Sequence, residues 1–281
     1  MRRPVIHEPL SRLAAWSARL AWFAVAVALL SIIVLRTGLL EIEPALATFA
    51  AALVFAALAV LLAFLSFIPI WRDGCTGFGR ALLGLVLGVA LLGYPGYLAY
   101  VGSKLPPIND ITTDTEHPPQ FDMLARLRPR GSDEYPGAKT AAMQHAAYPD
   151  IQPLEEDAAP DAAYRAALAV VTKRKWLIVD ARPPAPRRDG VIEAVARTLI
   201  MGFRDDVVVR IAPDEDGSRI DARSASRYGI SDFGANAARL RALLSDIDDA
   251  LSETPAEQPP QPAPAKKPEP KRPAPKRQQK R

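Results

Sequence analysis

The sequence contains very few residues of the types that bind metals or form covalent cross-links. A lone cysteine, Cys75, excludes a disulfide framework and zinc sites built on cysteine, because both need several thiols. The three histidines, His7, His117 and His145, are too few for a histidine-rich metal site. We therefore predict no metal site and no bound cofactor.

Charged residues are absent from three long hydrophobic runs in the first third of the chain. The uncharged runs are residues 20–35, 44–70 and 81–103, and they predict membrane helices over about residues 18–36, 44–70 and 80–103. A helix needs about 20 apolar residues to cross a hydrocarbon core of about 30 Å, so residues 1–104 are predicted to form an anchor of three transmembrane helices. Transporters and proton pumps generally carry ionisable residues at membrane depth, and their absence here argues against transport.

The third run contains two small residues spaced four apart, Gly84 and Gly88. This spacing is typical of membrane helices that approach one another closely. It predicts a packing face, either within the anchor or between two copies of the chain. Incidental glycine in a membrane helix is the alternative interpretation.

The distribution of basic residues near the runs predicts the orientation of the chain in the membrane. With the N-terminus inside, six basic residues lie on the cytoplasmic side and two on the outer side: Arg2, Arg3, Arg12, Arg19, Arg72 and Arg80 against Arg36 and Lys104. This bias follows the positive-inside rule. We therefore predict a multi-pass protein of the bacterial inner membrane, with a cytoplasmic N-terminus and a periplasmic soluble domain.

The last segment, residues 254–281, has eight Lys or Arg against two acidic residues and is rich in proline. It has almost nothing apolar to bury, so we predict a disordered basic tail. In the periplasm such a tail can attach to anionic polymers or lipid headgroups, whereas in an inverted topology it would meet nucleic acid. A purely solubilising tail is the third interpretation. Residues 105–253 are mildly acidic, with nineteen basic against twenty-five acidic residues, so nucleic-acid binding by the domain is not expected.

The soluble part divides into a proline-rich segment, residues 105–149, and a regular segment, residues 150–253. The first is predicted to be an extended lead-in, because proline recurs there with few periodic apolar positions. The second is predicted to be an α+β domain in which helices cover one face of a small, mostly antiparallel sheet. The expected strands and helices are strands 151–154, 176–180, 191–200, 206–212 and 219–226, and helices 161–173 and 233–251.

Four motifs occur in order along this domain: residues 190–198, 202–210, 221–229 and 231–236 followed by Arg239. In these motifs the chain resembles the domain of unknown function family 1499, over about residues 105–250. The resemblance implies a membrane-attached or exported protein. It implies no particular activity, because the family has no settled one.

The motifs supply a set of polar side chains on the last strand and the closing helix. We predict that they form an anion-binding face, since arginine offers paired donors to a carboxylate or phosphate and serine adds hydroxyl groups. The alternative is a structural set of arginine–aspartate pairs that fixes the register of the sheet. The candidate ligand-binding residues are Arg223, Ser224, Ser226, Arg227, Asp232, Asn236 and Arg239.

No catalytic residue is assigned, because the sequence contains no nucleophile elbow, phosphate-binding loop or metalloprotease motif. We predict that the exported domain is a binding or interaction module of the cell envelope. Its expected partners are the lipid bilayer and an anionic envelope polymer, a lipid headgroup or a membrane protein. The competing hypotheses are a hydrolase or transferase with Asp206, Asp221 or Asp232 as the base, and a scaffold of a membrane complex that assembles through the Gly84/Gly88 face.

Overall fold

The computed structural model describes residues 9–128 and 132–253. Three helices begin the chain: α1 (Arg12–Thr37), α2 (Ile42–Arg72) and α3 (Phe78–Gly102). Each is long and apolar enough to cross a membrane, which confirms the three predicted segments. The first helix begins earlier than its hydrophobic run, because the hydroxyl of Ser11 accepts a hydrogen bond from the N–H of Ala14 and caps it.

Small side chains hold the three helices together. The buried residues of α1 and α2 are alanines and serines, which let the two backbones approach closely. The hydroxyl of Ser17 donates to the carbonyl of Ala59 at 2.8 Å, and that of Ser31 donates to the carbonyl of Ala45 at 2.6 Å. Because a hydrocarbon environment offers no other partner, these bonds fix α1 against α2.

Gly84 and Gly88 lie where α3 packs against its two neighbours. A Cβ atom on Gly84 would stand 2.0 Å from the hydroxyl of Ser17, and one on Gly88 would stand 2.6 Å from a methyl group of Val60. The small-residue face is therefore used inside the bundle. It is not open to a second copy, which removes the observation behind the scaffold hypothesis.

The soluble domain is an antiparallel sheet with helices, as predicted. The sheet order is β1-β6-β5-β4-β3, and β2 pairs with the same free edge of β6 as β1 does. All pairings are antiparallel. The strands are β1 (Asp110–Thr112), β2 (Leu154–Glu156), β3 (Leu177–Arg182), β4 (Gly190–Arg197), β5 (Arg204–Pro213) and β6 (Ser218–Ser226), and the helices are α4 (Ala138–Ala147), α5 (Pro160–Lys173) and α6 (Ala235–Glu253).

Helices α5 and α6 cover one face of the sheet, here called the helix face. Alternation along β5 places Val207, Val209 and Ile211 on it. Leu240 and Leu243 of α6 are fully buried against these side chains. The predicted cover of one sheet face by helices is confirmed.

The opposite face of the sheet, here called the lead-in face, is covered by the proline-rich segment. Phe121 and Leu124 of that segment are buried against Val195 and Val208. The prediction of a wholly extended lead-in is wrong, since the segment contains β1, a short 3-10 turn (Leu124–Leu127) and α4.

The sequence pattern does not predict helix α4, because the buried side chains of this helix are polar. Its two buried residues are Thr140 and Gln144, so no apolar stripe marks the helix in the sequence. The side-chain amide of Gln144 accepts from the N–H of Thr112 at 3.1 Å and donates to its carbonyl at 2.6 Å, which ties α4 to β1. The folded domain thus begins near residue 110 and not near residue 150.

Candidate functional site

The seven candidate ligand-binding residues lie on both faces of the sheet. Alternation along β6 directs Arg223 to the lead-in face and Ser224 to the helix face. Arg227 follows Arg223 on the lead-in face, whereas Ser226 joins Asn236 on the helix face. The structure therefore brings the residues together as two separate clusters.

Arg223 is fully buried and bonded within the chain. Its Nε and Nη2 donate to the two carboxylate oxygens of Asp110 at 3.0 and 2.8 Å. The carbonyls of Pro119 and Asp133 accept two further bonds, at 3.2 and 3.0 Å. The guanidinium lies 4.5 Å from the centroid of the Phe121 ring. These contacts join β6 to β1 and to the lead-in segment, which is what the structural alternative predicts for this residue.

Arg227 contacts a fully buried carboxylate, that of Asp206 on β5. Its Nε lies 3.0 Å and its Nη2 2.7 Å from that carboxylate. Arg128 donates to the same carboxylate from the other side at 2.8 Å. Two arginines thus share one buried carboxylate, so this cluster of three side chains carries a net positive charge.

The helix-face cluster joins β5 and β6 to α6. Ser224 donates to the side-chain oxygen of Asn236 at 2.8 Å and accepts from Nη1 of Arg239 at 2.9 Å. Arg239 also forms an ion pair with Asp205. The amide nitrogen of Asn236 donates to the hydroxyl of Ser226 at 3.1 Å. Each of these five side chains is bonded to at least one other member of the cluster.

Asp232 lies three residues before the first residue of helix α6. Its carboxylate accepts from the N–H groups of Gly234 and Asn236, at 2.9 and 2.7 Å, as an N-cap does. Burial raises the pKa of Asp232 above its usual value, and the nearby carboxylate of Asp205 adds to the shift, against the effect of the backbone bonds.

Arg227 and Tyr228 line two open clefts among the described residues. The larger, of about 610 Å³, separates the α1–α2 turn from the end of the sheet where β4 ends and β5 begins. We call it the membrane-end cleft. Its lining is Leu35, Gly38, Leu39, Leu40, Glu41, Ile42, Glu43, Gly202, Phe203, Arg204, Arg227 and Tyr228. The smaller, of about 470 Å³, lies between the lead-in segment and β6.

Three arginines lie side by side at this end of the sheet. Arg197 is the register partner of Arg204, and the backbone N–H of Arg227 donates to the carbonyl of Arg204. Arg197 and Arg204 are exposed and form no ion pair with any residue in ranges 9–128 and 132–253. The membrane-end cleft therefore contains an arginine whose donors are available to a ligand.

The sequence model of a family described as protein of unknown function (DUF1499) matches residues 110–247. Residues 110–247 make up most of the α+β domain, which we call the DUF1499 domain after this match. The DUF1499 match begins at β1 and ends within α6, so it includes the segment that we expected to be a lead-in. No curated protein and no solved structure matches the chain.

Two of the three carboxylates that could act as a base in the DUF1499 domain are held by arginines. Asp206 accepts from Arg128 and Arg227, and Asp221 accepts from Arg210 at 2.8 Å and from Arg219 at 3.2 Å. Both carboxylates are buried. Within the described ranges, no group of three or more His, Cys, Asp or Glu residues is arranged to hold a metal ion.

Glu193 is a buried residue of the DUF1499 domain whose role the sequence did not reveal. Its carboxylate accepts from the N–H groups of Asp122, Met123 and Leu124, at 2.9, 3.2 and 2.7 Å. It thereby fastens the lead-in segment to the middle of the sheet. The only signal in the sequence is a glutamate within an otherwise apolar strand.

Proposed function

We propose that this protein is an inner-membrane protein of a bacterium whose periplasmic DUF1499 domain binds an anionic amphiphile in the membrane-end cleft. The observation that carries the proposal is the exposed guanidinium of Arg204 beside an apolar wall that includes Leu35, Leu39 and Ile42. The cleft combines a donor for a phosphate or carboxylate with a surface for a hydrocarbon chain.

The charges around the cleft suit one localised anionic group. Arg204 and Arg227 lie on the wall formed by the sheet, while Glu41 and Glu43 lie on the wall formed by the α1–α2 turn. A ligand with a single negative group can approach the arginines and keep its neutral part near the glutamates. A polymer with a negative charge at every unit would be repelled by them.

The periplasmic placement rests on the distribution of basic residues and on the contacts of the domain. The domain lies against the C-terminal ends of α1 and α3, opposite the side on which α1 begins. With the N-terminus in the cytoplasm, the domain is on the outer side. Alkaline phosphatase and a cytoplasm-only fluorescent protein, fused separately after Glu253, test this: phosphatase activity is expected, and fluorescence would refute the orientation.

Ligand binding can be measured on the full chain in neutral detergent by native mass spectrometry with phosphatidylglycerol. We expect Arg204→Gln to weaken binding about tenfold, because a charge-assisted hydrogen bond contributes about 1.5 kcal/mol or more. Arg187→Gln is the matched control, since Arg187 is also exposed but lies at the opposite end of the sheet. Equal binding by both variants and the parent chain would refute the site.

Phosphatidylcholine and inorganic phosphate complete the test. The neutral lipid should bind the parent chain no better than it binds Arg204→Gln. Inorganic phosphate should bind much more weakly than the anionic lipid, since it has no apolar part to contact Leu39 and Ile42. Equal affinity for the charged and the neutral lipid would show that the arginine does not select the ligand.

A further inference from the structure

The membrane end of the DUF1499 domain presents large apolar side chains to its surroundings. Leu199, at the tip of the β4–β5 hairpin, is 91% exposed, and Ile230, in the loop after β6, is 81% exposed. Ile200 and Phe233 beside them are also exposed. Residues 198–203 and 228–234 are here called the apolar tips. Large apolar side chains exposed together mark a contact surface more often than open solvent.

The hairpin tip is bonded to the end of the first membrane helix. Nη1 of Arg36, in the last turn of α1, donates to the carbonyl of Leu199 at 2.6 Å and to that of Ile200 at 3.1 Å. Gly202 lies so close to Arg36 that a Cβ atom on the glycine would stand 3.0 Å from the arginine Cγ. The tip is therefore at the depth at which α1 ends.

The second tip lies against the end of the third membrane helix. A Cβ atom on Gly102 would stand 2.7 Å from the ring of Phe233. Tyr97 and Tyr100, five and two residues before the same end, are exposed, and tyrosine is enriched at the level of lipid headgroups. Lys104 follows, with its ammonium group 5.9 Å from the centroid of the Tyr100 ring. Both tips therefore lie where aromatic and basic residues mark the membrane surface.

Several backbone polar groups of the hairpin tip form hydrogen bonds within the protein. The N–H of Phe203 donates to the hydroxyl of Thr198 at 2.9 Å, and the N–H of Gly202 donates to the carbonyl of Thr198 at 3.1 Å. The carbonyls of Leu199 and Ile200 accept from Arg36. These paired groups keep their partners when the turn enters the interfacial layer, which lowers the cost of leaving water.

We infer that the two apolar tips insert into the interfacial layer of the bilayer, so that the DUF1499 domain is docked on the lipid surface. The occupant of this surface is the bilayer that α1, α2 and α3 are suited to span, since the tips lie beside the ends of α1 and α3. Arg36 holds the hairpin from within the same layer, with its stem in apolar surroundings and its charge at the headgroups. The inference does not depend on a ligand in the membrane-end cleft.

The test uses the full chain in phosphatidylcholine vesicles, with Cys75→Ser and one new cysteine at a time. Leu199→Cys and Ile230→Cys probe the two tips. Glu215→Cys is the control, since it lies exposed in the β5–β6 hairpin at the far end of the sheet. All three substitutions are at exposed side chains and are not expected to disturb folding.

Each thiol is reacted with a charged, membrane-impermeant maleimide in open vesicle fragments and then in detergent-free denaturant. We expect Glu215→Cys to react rapidly in both conditions. Leu199→Cys and Ile230→Cys should lose most of their reactivity in the bilayer and regain it on denaturation, because the reactive thiolate does not form in apolar surroundings. Rapid labelling of the tips in the bilayer would overturn the inference.

A second measurement separates membrane insertion from burial in protein. A nitroxide on each cysteine is examined for collisions with oxygen, which concentrates in lipid, and with a water-soluble nickel chelate. The tips should favour oxygen and the control should favour the chelate. Low accessibility to both agents at the tips would mean a protein contact, and it would also overturn the inference.

Discussion

The buried pair of Arg223 and Asp110 gives the sharpest test of whether the motif arginines bind a ligand or hold the fold. Replacing Arg223 with methionine would leave the Asp110 carboxylate, which is 3% exposed, without its bidentate partner. Breaking a buried ion pair on one side generally costs about 3–5 kcal/mol. The carbonyls of Pro119 and Asp133 would lose their donor as well. We therefore expect Arg223→Met to destabilise the DUF1499 domain by an amount in that range.

The unfolding of the domain can be followed on the full chain in detergent by pulse proteolysis across a urea gradient. With a slope of about 2 kcal/mol/M, the expected loss lowers the urea midpoint by about 1.5–2.5 M. The double variant Arg223→Met with Asp110→Leu should recover much of this loss, because replacing both partners with apolar groups is often neutral. Arg204→Met is the control and should change stability by less than about 0.5 kcal/mol, since Arg204 is exposed.

The result that would refute this reasoning is a midpoint for Arg223→Met that differs from the parent by no more than that of Arg204→Met. Arg223 would then be dispensable for folding, and its predicted role in anion binding would become the better explanation of the motif. Failure of the double variant to recover would show that the bonds to Pro119 and Asp133 matter more than the ion pair.

Three further predictions concern other buried polar groups and the anchor. Glu193→Gln should destabilise the domain by about 2 kcal/mol or more in the same urea assay, because one amide oxygen replaces a carboxylate that accepts three backbone N–H bonds. Asp232→Asn retains one of the two acceptor oxygens before α6 and removes a carboxylate whose pKa is raised by burial. In the parent chain, the ionised Asp232 destabilises the folded state at pH values above its raised pKa, and this loss disappears below the pKa of aspartate in the unfolded chain. The urea midpoint of Asp232→Asn, measured relative to that of the parent, should therefore increase from pH 4 to pH 7. Gly84→Ala should lower the thermal stability of the anchor in detergent, whereas Gly93→Ala, where a Cβ atom meets nothing within 4 Å, should not.

The local sequence pattern predicts those helices and strands in which buried apolar side chains recur at a regular spacing. The uncharged runs predict the membrane helices, alternation at Val207, Val209 and Ile211 predicts β5, and the stripe that includes Leu240 and Leu243 predicts α6. The predicted strand 191–200 is too long, because the chain leaves the sheet after Arg197 and turns back through Gly202, whose φ is +72°.

Local pattern does not predict contacts between distant segments. Asp110 and Arg223 are 113 positions apart, and nothing near either residue identifies the other as its partner. The same is true of Glu193, whose donors lie about 70 positions earlier in the chain. The structure of the lead-in segment depends on such distant contacts. Its local sequence shows only a high proline content, which by itself predicts an extended chain.

The motifs in which this chain resembles the DUF1499 family indicate how the domain folds more than what it binds. Arg223 binds Asp110, Arg227 binds Asp206 and Arg239 binds Asp205, so these three motif arginines form ion pairs inside the domain. Another sequence with these motifs can be expected to form the same sheet, because these ion pairs fix the register of the strands and the segments that pack on the sheet. Such a match says little about what the sequence binds.

The side chains that face outward at the membrane end contribute little to holding the sheet together. Arg204 forms no ion pair with a described residue, and Leu199 and Ile230 contact little of the domain. A change at any of these positions should leave folding nearly unaltered and change only what the domain contacts. Function in this protein is therefore best sought where the domain meets the bilayer, with substitutions that spare the buried pairs.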